Sequence, residues 1–183
     1  SSAVVDGLSA GPLAKLVNAP LLLTSANALD TNVEYEIKRL LVNNTAKSDL
    51  QTQTVYIVGG TSVVSENVVN KLKQLGIKVE RLAGDRRDTT SLAVAKKMAQ
   101  KNAKFEKAFV IGAKGEADAM SISAHAAKEQ APIIVGALNG SLSNDAKKLI
   151  TNKQIDIIGG ETAVNKKLEE ELKSIDKDKN VNR

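Results

Sequence analysis

Two pairs of glycines are the residues whose type and position could hold a ligand. Gly59-Gly60 follows the apolar run 55–58, and Gly159-Gly160 follows the apolar run 155–158. Glycine at the end of a parallel strand permits a tight turn and lets an anion approach backbone N–H groups at the start of the next helix. Neither pair continues into the Gly-x-Gly-x-x-Gly or Gly-x-x-x-x-Gly-Lys-Ser/Thr pattern of nucleotide-binding loops. A plain turn and a contact with phosphate or carboxylate both stay open.

The segment 83–90, Ala-Gly-Asp-Arg-Arg-Asp-Thr-Thr, is a second candidate, because it is predicted to join an edge strand to a helix. Arg86 and Arg87 beside a helix start could hold a phosphate or carboxylate through paired hydrogen bonds. The alternative is an arginine that forms a salt bridge with Asp85 or Asp88 and fixes the junction.

The sequence lacks the residue types and spacings that catalytic sites usually require. The chain has no cysteine, which excludes disulfides, thiolate nucleophiles and cysteine-ligated metals, and its single histidine, His125, excludes multi-histidine metal sites. Asp6 and Asp118 lack a second carboxylate or a base at a repeated spacing, and we expect them to cap helices. Ser9 and Ser121 lack a repeated His or Lys partner. The sequence therefore predicts no catalytic residue, no metal site and no cofactor.

Composition excludes further classes. Among 183 residues there are two Tyr, two Phe and no Trp, too few for a base-stacking groove, so we expect no nucleic-acid partner. No run of 18 apolar residues predicts a membrane span. The net charge of +5 arises mostly in residues 91–183, in mixed runs that are typical of solvated helix faces. A basic surface for an acidic polymer would require these charges to cluster in space.

The elements that must position these residues follow from the apolar pattern. Five short runs rich in branched side chains are typical of strands covered on both faces: Pro20 to Leu23, Val55 to Val58, Ala108 to Ile111, Pro132 to Val135 and Ile155 to Ile158. Segments with helical spacing lie between them, with start signals near Thr31, Ser65, Asp88 or Thr89, and Ser143. This alternation predicts βαβ units, and hence a three-layer α/β fold with mainly parallel sheets.

An internal repeat divides the chain. Asp6-Gly-Leu-Ser and the later Ala-Pro-Leu-Leu-Leu reappear 112 residues on as Asp118-Ala-Met-Ser and Ala-Pro-Ile-Ile-Val. Ile-Val-Gly59-Gly60 reappears 100 residues on as Ile-Ile-Gly159-Gly160. Because this shift is 12 residues shorter than the first, the first copy has 12 extra residues, expected as a surface loop at 43–53. We therefore predict two tandem domains: 1–83, a repeat without its first strand–helix unit, and 84–183, an essentially complete repeat. The 183 residues hold no first-copy counterpart of 105–115, which predicts a piece of a longer protein.

The ordered motifs resemble a known family. Ala-Pro-Leu-Leu-Leu-Thr-Ser, then Val-Tyr-Ile-Val-Gly59-Gly60-Thr, then Val-Glu-Arg-Leu-Ala-Gly84-Asp-Arg-Arg87-x-x-Thr90 is similar to the type 2 cell-wall-binding repeat of clostridial surface-layer and cell-wall proteins. The resemblance covers nearly the whole chain. Arg86, Asp88 and Thr89 depart from the family's usual residues at the junction.

This resemblance implies tandem Rossmann-like modules that associate with sister repeats and hold a surface-layer protein non-covalently to an anionic wall polysaccharide. It implies an extracellular location at the cell wall or surface layer, a possible second surface-layer subunit as partner, and no enzymatic activity. The residues expected to meet the polymer are Arg86, Arg87, Thr90, Gly59, Gly60, Gly159 and Gly160. Two alternatives stay open: a Rossmann-like enzyme acting on a sugar or nucleotide, and a module that serves only lattice or domain packing.

Overall fold

The computed structural model describes residues 3–43, 46–101, 104–175 and 181–183. Helices and strands alternate along most of this length. Their bounds are α1 (Ala3–Ser9), α2 (Gly11–Leu16), α3 (Thr31–Ile37), β1 (Thr54–Val58), α4 (Glu66–Gln74), β2 (Lys78–Leu82), α5 (Arg87–Gln100), β3 (Lys107–Ile111), α6 (Glu116–Glu129), β4 (Ile133–Val135), α7 (Asn144–Ile150), β5 (Gln154–Ile158), α8 (Lys166–Ile175) and β6 (Val181–Asn182).

The chain forms two compact units. Unit 1 contains residues 1–21 and 84–183, and unit 2 contains residues 22–83. The unit boundary at 83/84 falls at the repeat junction, whereas residues 1–21, which belong to the first repeat in sequence, lie with the second repeat. The division into sequence repeats 1–83 and 84–183 therefore stays a proposal about repeat units and differs from the spatial division.

Unit 1 is built on a four-stranded parallel sheet in the order β4-β3-β5-β6. Side chains of β3 alternate between its two faces, and each face has its own core. Ala108 and Val110 join a cluster with α5, α7 and α8, whereas Phe109 and Ile111 join a cluster with α6. All four of these side chains are at most 1% exposed. The predicted three-layer α/β arrangement is thus present in unit 1, because a strand covered on both faces has no polar side to turn to water.

Polar side chains form hydrogen bonds to the two outer strands of this sheet, β4 and β6. At β4, the backbone N–H of Val135 donates to the buried Ser91 hydroxyl of α5 at 3.0 Å, so the helix covers that sheet edge. At the other side, Asp156 of β5 accepts hydrogen bonds from Asn182 of β6 and from Gln154, and pairs with Lys107 of β3 at 3.1 Å. Burial would raise the pKa of Asp156, but these donors outweigh it and lower the pKa.

Unit 2 is smaller. Strands β1 and β2 form a two-stranded parallel sheet, in register from Thr54 opposite Lys78 to Val58 opposite Leu82. Its buried hydrophobic cluster comprises Ile37, Ile57, Val68, Val69, Leu72 and Ile77. Gly76 ends α4 with a positive φ of +81°, as the sequence predicts for a left-handed helix terminus.

Four of the five predicted strands are confirmed, and the fifth is not. Residues 20–23 lie outside any strand, although the corresponding residues of the second repeat form β4. The physical reason is the partner: β4 exists because β3 pairs with it, and no described residue pairs with 20–23 in that way.

Three further expectations about helices and loops need correction. Asp6 and Asp118 do not cap helices, because they lie inside α1 and α6. The helix predicted to start near Thr31 is capped by Asp30, whose carboxylate accepts from the Asn32 N–H at 2.9 Å. The 12 extra residues are not a plain surface loop, since a 3-10 helix at Lys47–Thr52 buries Leu50; residues 44 and 45 lie outside the described chain. The Ser143 cap is confirmed.

We expect Ile134→Ala to destabilise unit 1 strongly. Ile134 is 0% exposed, and truncating a fully buried Ile costs about 2 to 5 kcal/mol. The matched control is Leu23→Ala, in the equivalent apolar run of the first repeat, where the side chain is 78% exposed and the expected change is below about 0.5 kcal/mol. Urea unfolding of both variants measures the two changes in the free energy of unfolding. Equal decreases would contradict the burial of Ile134 and the exposure of Leu23.

Asp156 should make stability depend on pH. Its pKa is lowered in the folded chain, so its stabilising contribution is complete at neutral pH and is lost as pH falls from about 5 through the lower folded value. Asp156→Asn should flatten the fall in stability over this range, and Lys107→Gln should flatten it in part. Unfolding curves at several pH values test this; a slope unchanged in Asp156→Asn would refute it.

Candidate functional site

Both glycine pairs form tight turns directly after a strand, β1 in unit 2 and β5 in unit 1. Gly59 and Gly159 have positive φ angles of +118° and +109°, which side chains with a Cβ rarely adopt. The carbonyl of Gly60 accepts from the N–H groups of Val63 and Val64, and the carbonyl of Gly160 accepts from those of Ala163 and Val164. The helices α4 and α8 begin only at Glu66 and Lys166. The glycines therefore lie at the carboxyl edge of each sheet, one turn before the helix.

The backbone groups of these turns are partly committed to the protein. The Gly59 N–H donates to the Leu82 carbonyl at 3.0 Å and extends the β1–β2 pairing. Gly160 is exposed, and no protein atom lies within 4 Å of where its Cβ would be. The open side of the second turn is thus the part of this site that a ligand could reach.

An arginine holds each turn in the same way in both repeats. Arg81 donates to the Gly59 carbonyl at 2.9 Å, and Arg183 donates to the Gly159 carbonyl at 2.8 Å. Each guanidinium also pairs with a carboxylate of the helix that follows its turn: Arg81 with Glu66, and Arg183 with Glu169. The sequence pattern by itself predicts no role for these arginines. The signal was present, since Val-Glu-Arg81 and Val-Asn-Arg183 recur at a shift of 102.

Asp118 lies against the second turn. A Cβ on Gly159 would lie 2.6 Å from Asp118 Oδ2, and a Cβ on Gly115 would lie 3.0 Å from the same atom. The loop after β3 is equally close to this turn, because a Cβ on Gly112 would overlap the Ala163 carbonyl oxygen. The structure therefore brings the recurring aspartate and the recurring glycine pair together at one sheet edge in unit 1.

At the repeat junction, Thr90 is structural. It is 1% exposed, its hydroxyl accepts from the Gly84 N–H at 3.1 Å, and it lies within 3.4 Å of the Gly84 carbonyl. The Thr89 hydroxyl, in the first turn of α5, accepts from the Arg86 N–H at 3.0 Å, so α5 is preceded by Arg86 and not by Asp88 or Thr89 as the sequence predicted. These contacts close the loop between β2 and α5, so the Thr90 hydroxyl points into the protein.

Arg86 is exposed and paired. Its guanidinium forms two hydrogen bonds of 2.9 Å to the Asp88 carboxylate, while 60% of the side chain stays exposed. This pairing lowers the pKa of Asp88 and raises the pKa of Arg86. An incoming anion would have to compete for the Arg86 guanidinium with Asp88, whose side chain is only 11% exposed.

Arg87 is more enclosed. It donates to the Ala113 carbonyl at 2.8 Å and lies 3.7 Å from the Glu116 carboxylate, with 25% of its side chain exposed. The carbonyl belongs to the loop after β3, so Arg87 lies at the carboxyl edge of the unit 1 sheet. It also acts on Asp6: burial raises the pKa of Asp6, and the Arg87 charge opposes part of that rise.

The two recurring serines and the single histidine make local contacts. Ser9 and Ser121 each donate to the backbone carbonyl of the aspartate three residues earlier, at 2.8 Å. His125 is exposed and lies edge-on to the Phe109 ring at 5.6 Å. Among the described residues, no group of three or more His, Cys, Asp or Glu side chains could hold a metal ion.

Several lysines of the second repeat form ion pairs with acidic side chains. Lys96 pairs with Asp145, Lys153 with Glu106, and Lys173 with Glu169. Such mixed faces agree with the solvated helix surfaces predicted from the charge runs. No helix in the described part of the chain has the length and apolar character needed to cross a bilayer.

Comparison with known proteins identifies relatives. The sequence model of the family described as Cell wall binding domain 2 (CWB2) matches residues 1–69 and 81–169. The chain is 35% identical over 176 residues to N-acetylmuramoyl-L-alanine amidase LytC of Bacillus subtilis, covering 94% of this chain and 32% of LytC. It is 31% identical to the amidase enhancer of the same organism, covering 92% of this chain and 21% of that protein.

Solved structures give the same result. Cwp8 from Clostridium difficile superposes with a TM-score of 0.90 at 45% identity, over 100% of this chain and 29% of Cwp8. Cwp6 from the same organism gives 0.80 at 28% identity, over 97% of this chain and 27% of Cwp6. The chain thus spans about a third or less of each relative. These matches assign it a role in binding the cell wall and point to a cell-wall or surface location. The chain belongs to the Cell wall binding domain 2 (CWB2) family.

Proposed function

We propose that this chain is a non-catalytic anchoring module of a surface-layer protein, which binds an anionic secondary cell-wall polysaccharide without a covalent link. The observation that carries the proposal is the duplicated turn. Arg81 with Gly59 and Arg183 with Gly159 repeat one geometry in two repeats, at 2.9 and 2.8 Å. Duplicated, nearly equivalent sites suit a polymer with repeating charges, since several weak contacts on one chain add up through effective concentration. A catalytic site has no need of such a duplicate.

The contacts we assign to the polymer are Arg86, Arg87 and the exposed side of the Gly159-Gly160 turn, with Gly59-Gly60 as its counterpart. Arg87 and Gly160 both lie at the carboxyl edge of the unit 1 sheet, where ligands of open α/β sheets bind. Arg86 carries an exposed, planar fork that can exchange Asp88 for a phosphate or carboxylate of the polymer. Thr90 contributes indirectly, by holding the junction that presents the two arginines.

Packing with sister repeats is the second part of the proposal. Helices α1 and α2 come from the first repeat in sequence but pack on α5 and α6 of the second. Ser123 of α6 donates to the Leu8 carbonyl at 2.9 Å, and a Cβ on Gly11 would lie 2.6 Å from the Ser123 hydroxyl. Gly11 and Ser123 occupy equivalent repeat positions, so equivalent helices of neighbouring repeats contact each other. We propose the same kind of contact with further repeats, and with a second surface-layer subunit as a possible partner.

Retention on purified cell walls tests the ligand. The chain should bind walls that carry their anionic polymer and lose at least tenfold in retention on walls stripped of it. Retention should also fall as salt rises, because exposed charges are screened over roughly 3 Å at 1 M salt. Undiminished binding to stripped walls would overturn the polymer assignment and favour packing alone.

Charge reversal tests the arginines. Arg86→Glu with Arg87→Glu should reduce retention at low salt at least tenfold, and the difference from the unmodified chain should vanish at high salt. The matched control is Lys128→Glu with Lys148→Glu, which changes net charge by the same amount at exposed positions of α6 and α7. Thermal unfolding of both variants checks the fold, since Arg87 also holds the Ala113 carbonyl. Equal retention of the two double variants would refute a specific role for the arginines.

A further inference from the structure

An exposed Asn-Gly pair lies in the turn between β4 and α7. Asn139-Gly140 is the only Asn-Gly pair in the 183 residues, and the Asn139 side chain is exposed. The Gly140 N–H donates to the Ala137 carbonyl at 2.9 Å, and the Ala137 N–H donates to the Ser141 carbonyl at 3.0 Å. These two hydrogen bonds close a tight turn, in which Gly140 has a positive φ of +68°.

An Asn-Gly pair is chemically reactive, because the backbone nitrogen after an asparagine can attack Cγ of the side-chain amide and close a five-membered ring. Glycine permits this attack best, since it has no Cβ to obstruct the approach. The backbone must also change its φ and ψ angles, and an exposed turn does so more readily than a helix. The related pair Asp6-Gly7 lies inside α1 and lacks that freedom.

A hydroxyl contacts the amide that would react. Ser141 Oγ donates to Asn139 Oδ1 at 2.6 Å. Donation to this oxygen withdraws electrons from Cγ, and it stabilises the negative charge that the oxygen acquires when a nitrogen adds to Cγ. The Gly140 N–H must leave the Ala137 carbonyl before its nitrogen can attack. The turn thus activates the electrophile, and local opening of one hydrogen bond releases the nucleophile.

The first repeat has the same asparagine without these features. Asn27, which lies 112 residues before Asn139, is also exposed. It is followed by Ala28, and Leu29 stands at the position equivalent to Ser141. The chain therefore contains a matched asparagine that has neither the glycine nor the hydroxyl.

We propose that Asn139 is a self-modification site, at which the Gly140 nitrogen displaces the side-chain amide and the turn converts to aspartyl and isoaspartyl forms. A base from the solvent removes the Gly140 N–H proton and the N–Cγ bond forms. The Cγ–Nδ2 bond then breaks, and Nδ2 takes a proton from water and leaves as ammonia. A second water opens the ring. Cleavage of the N–Cγ bond gives aspartate, whereas cleavage between the Asn139 carbonyl carbon and the nitrogen gives isoaspartate, in which the main chain runs through Cβ and Cγ.

The turn packs against the start of α8, so a change in its backbone acts on that helix. A Cβ on Gly140 would lie 2.1 Å from Asn165 Nδ2, which leaves no room between the turn and this side chain. Asn165 Oδ1 accepts from the Leu168 N–H at 2.9 Å and caps α8. A Cβ on Gly136, before the turn, would lie 2.7 Å from Leu168 Cδ2. An isoaspartyl link lengthens the main chain by a methylene beside these contacts, and we expect it to displace Gly140 against Asn165 and weaken the cap.

Ageing of the whole folded chain in mildly alkaline buffer tests the modification. Peptide mapping by mass spectrometry should find Asn139 converted at least tenfold faster than Asn27. In water labelled with a heavy oxygen isotope, the product should carry the label at residue 139. Ser141→Ala should slow the conversion at least threefold, and the matched control Ser121→Ala, at an exposed hydroxyl of α6, should leave it unchanged.

The two products separate the modification from its effect on α8. Hydrogen–deuterium exchange of the Leu168 amide should be at least tenfold faster in the isoaspartyl form, purified by ion-exchange chromatography. Asn139→Asp has the charge of the aspartyl product and an unaltered main chain, so it should leave this exchange unchanged.

Conversion of Asn139 no faster than that of Asn27 would overturn the inference, and so would an equal rate in Ser141→Ala. Conversion that occurs only in urea would also overturn it, because the folded turn would then protect the asparagine. Unaltered exchange of Leu168 in the isoaspartyl form would refute the effect on α8. Circular dichroism shows whether Ser141→Ala is folded; if it is not, the comparison with Asn27 in the chain without substitutions decides the question. None of these measurements uses the wall polymer, so their outcome is independent of the proposed function.

Discussion

A parallel strand in the middle of a sheet needs a strand on each side and a helix layer on each face, and β3 satisfies all four conditions. It pairs with β4 and β5, and its side chains alternate between the core under α5, α7 and α8 and the core under α6. Every loop considered as a binding site in unit 1 lies at the carboxyl edge of this sheet. In the described part of unit 2 the sheet consists of β1 and β2, and Leu22 and Leu23 are exposed.

Arginines set the geometry of this carboxyl edge. Arg81 and Arg183 fix the glycine turns through carbonyl oxygens, and Arg87 fixes the loop after β3 through the Ala113 carbonyl. A guanidinium has five donors in a planar fork, so it can hold a carbonyl and a carboxylate together. Positive charge therefore lies beside exposed backbone at this edge. That arrangement suits weak, repeated contacts with an anionic polymer better than tight binding of one small anion.

The sequence predicted the repeats, the α/β class, four of the five apolar strands and the positions of the glycine turns. Each of these depends on local chemistry: branched residues in short runs, glycine where φ is positive, and a hydroxyl such as Ser143 before a helix. Several predictions that assigned a helix cap to a single polar side chain were wrong. Asp6 and Asp118 were expected to cap helices but lie inside them, and the helix near Thr31 is capped by Asp30. The residue that caps a helix changes when the start of that helix moves by one residue. The sequence pattern does not define the helix start to within one residue.

The sequence by itself determined that this is a duplicated α/β protein with no cysteine chemistry and a single histidine, because those facts are composition and spacing. Tertiary structure decided what the repeated motifs do. It paired Arg86 with Asp88, turned Thr90 into the interior, and gave a role to Arg81 and Arg183 that their spacing only hinted at. It also decided that Pro-Ile-Ile-Val is a buried strand whereas Pro-Leu-Leu-Leu is not. The two runs have the same local preference, and burial depends on which strand lies beside them, a non-local property that no short stretch of sequence contains.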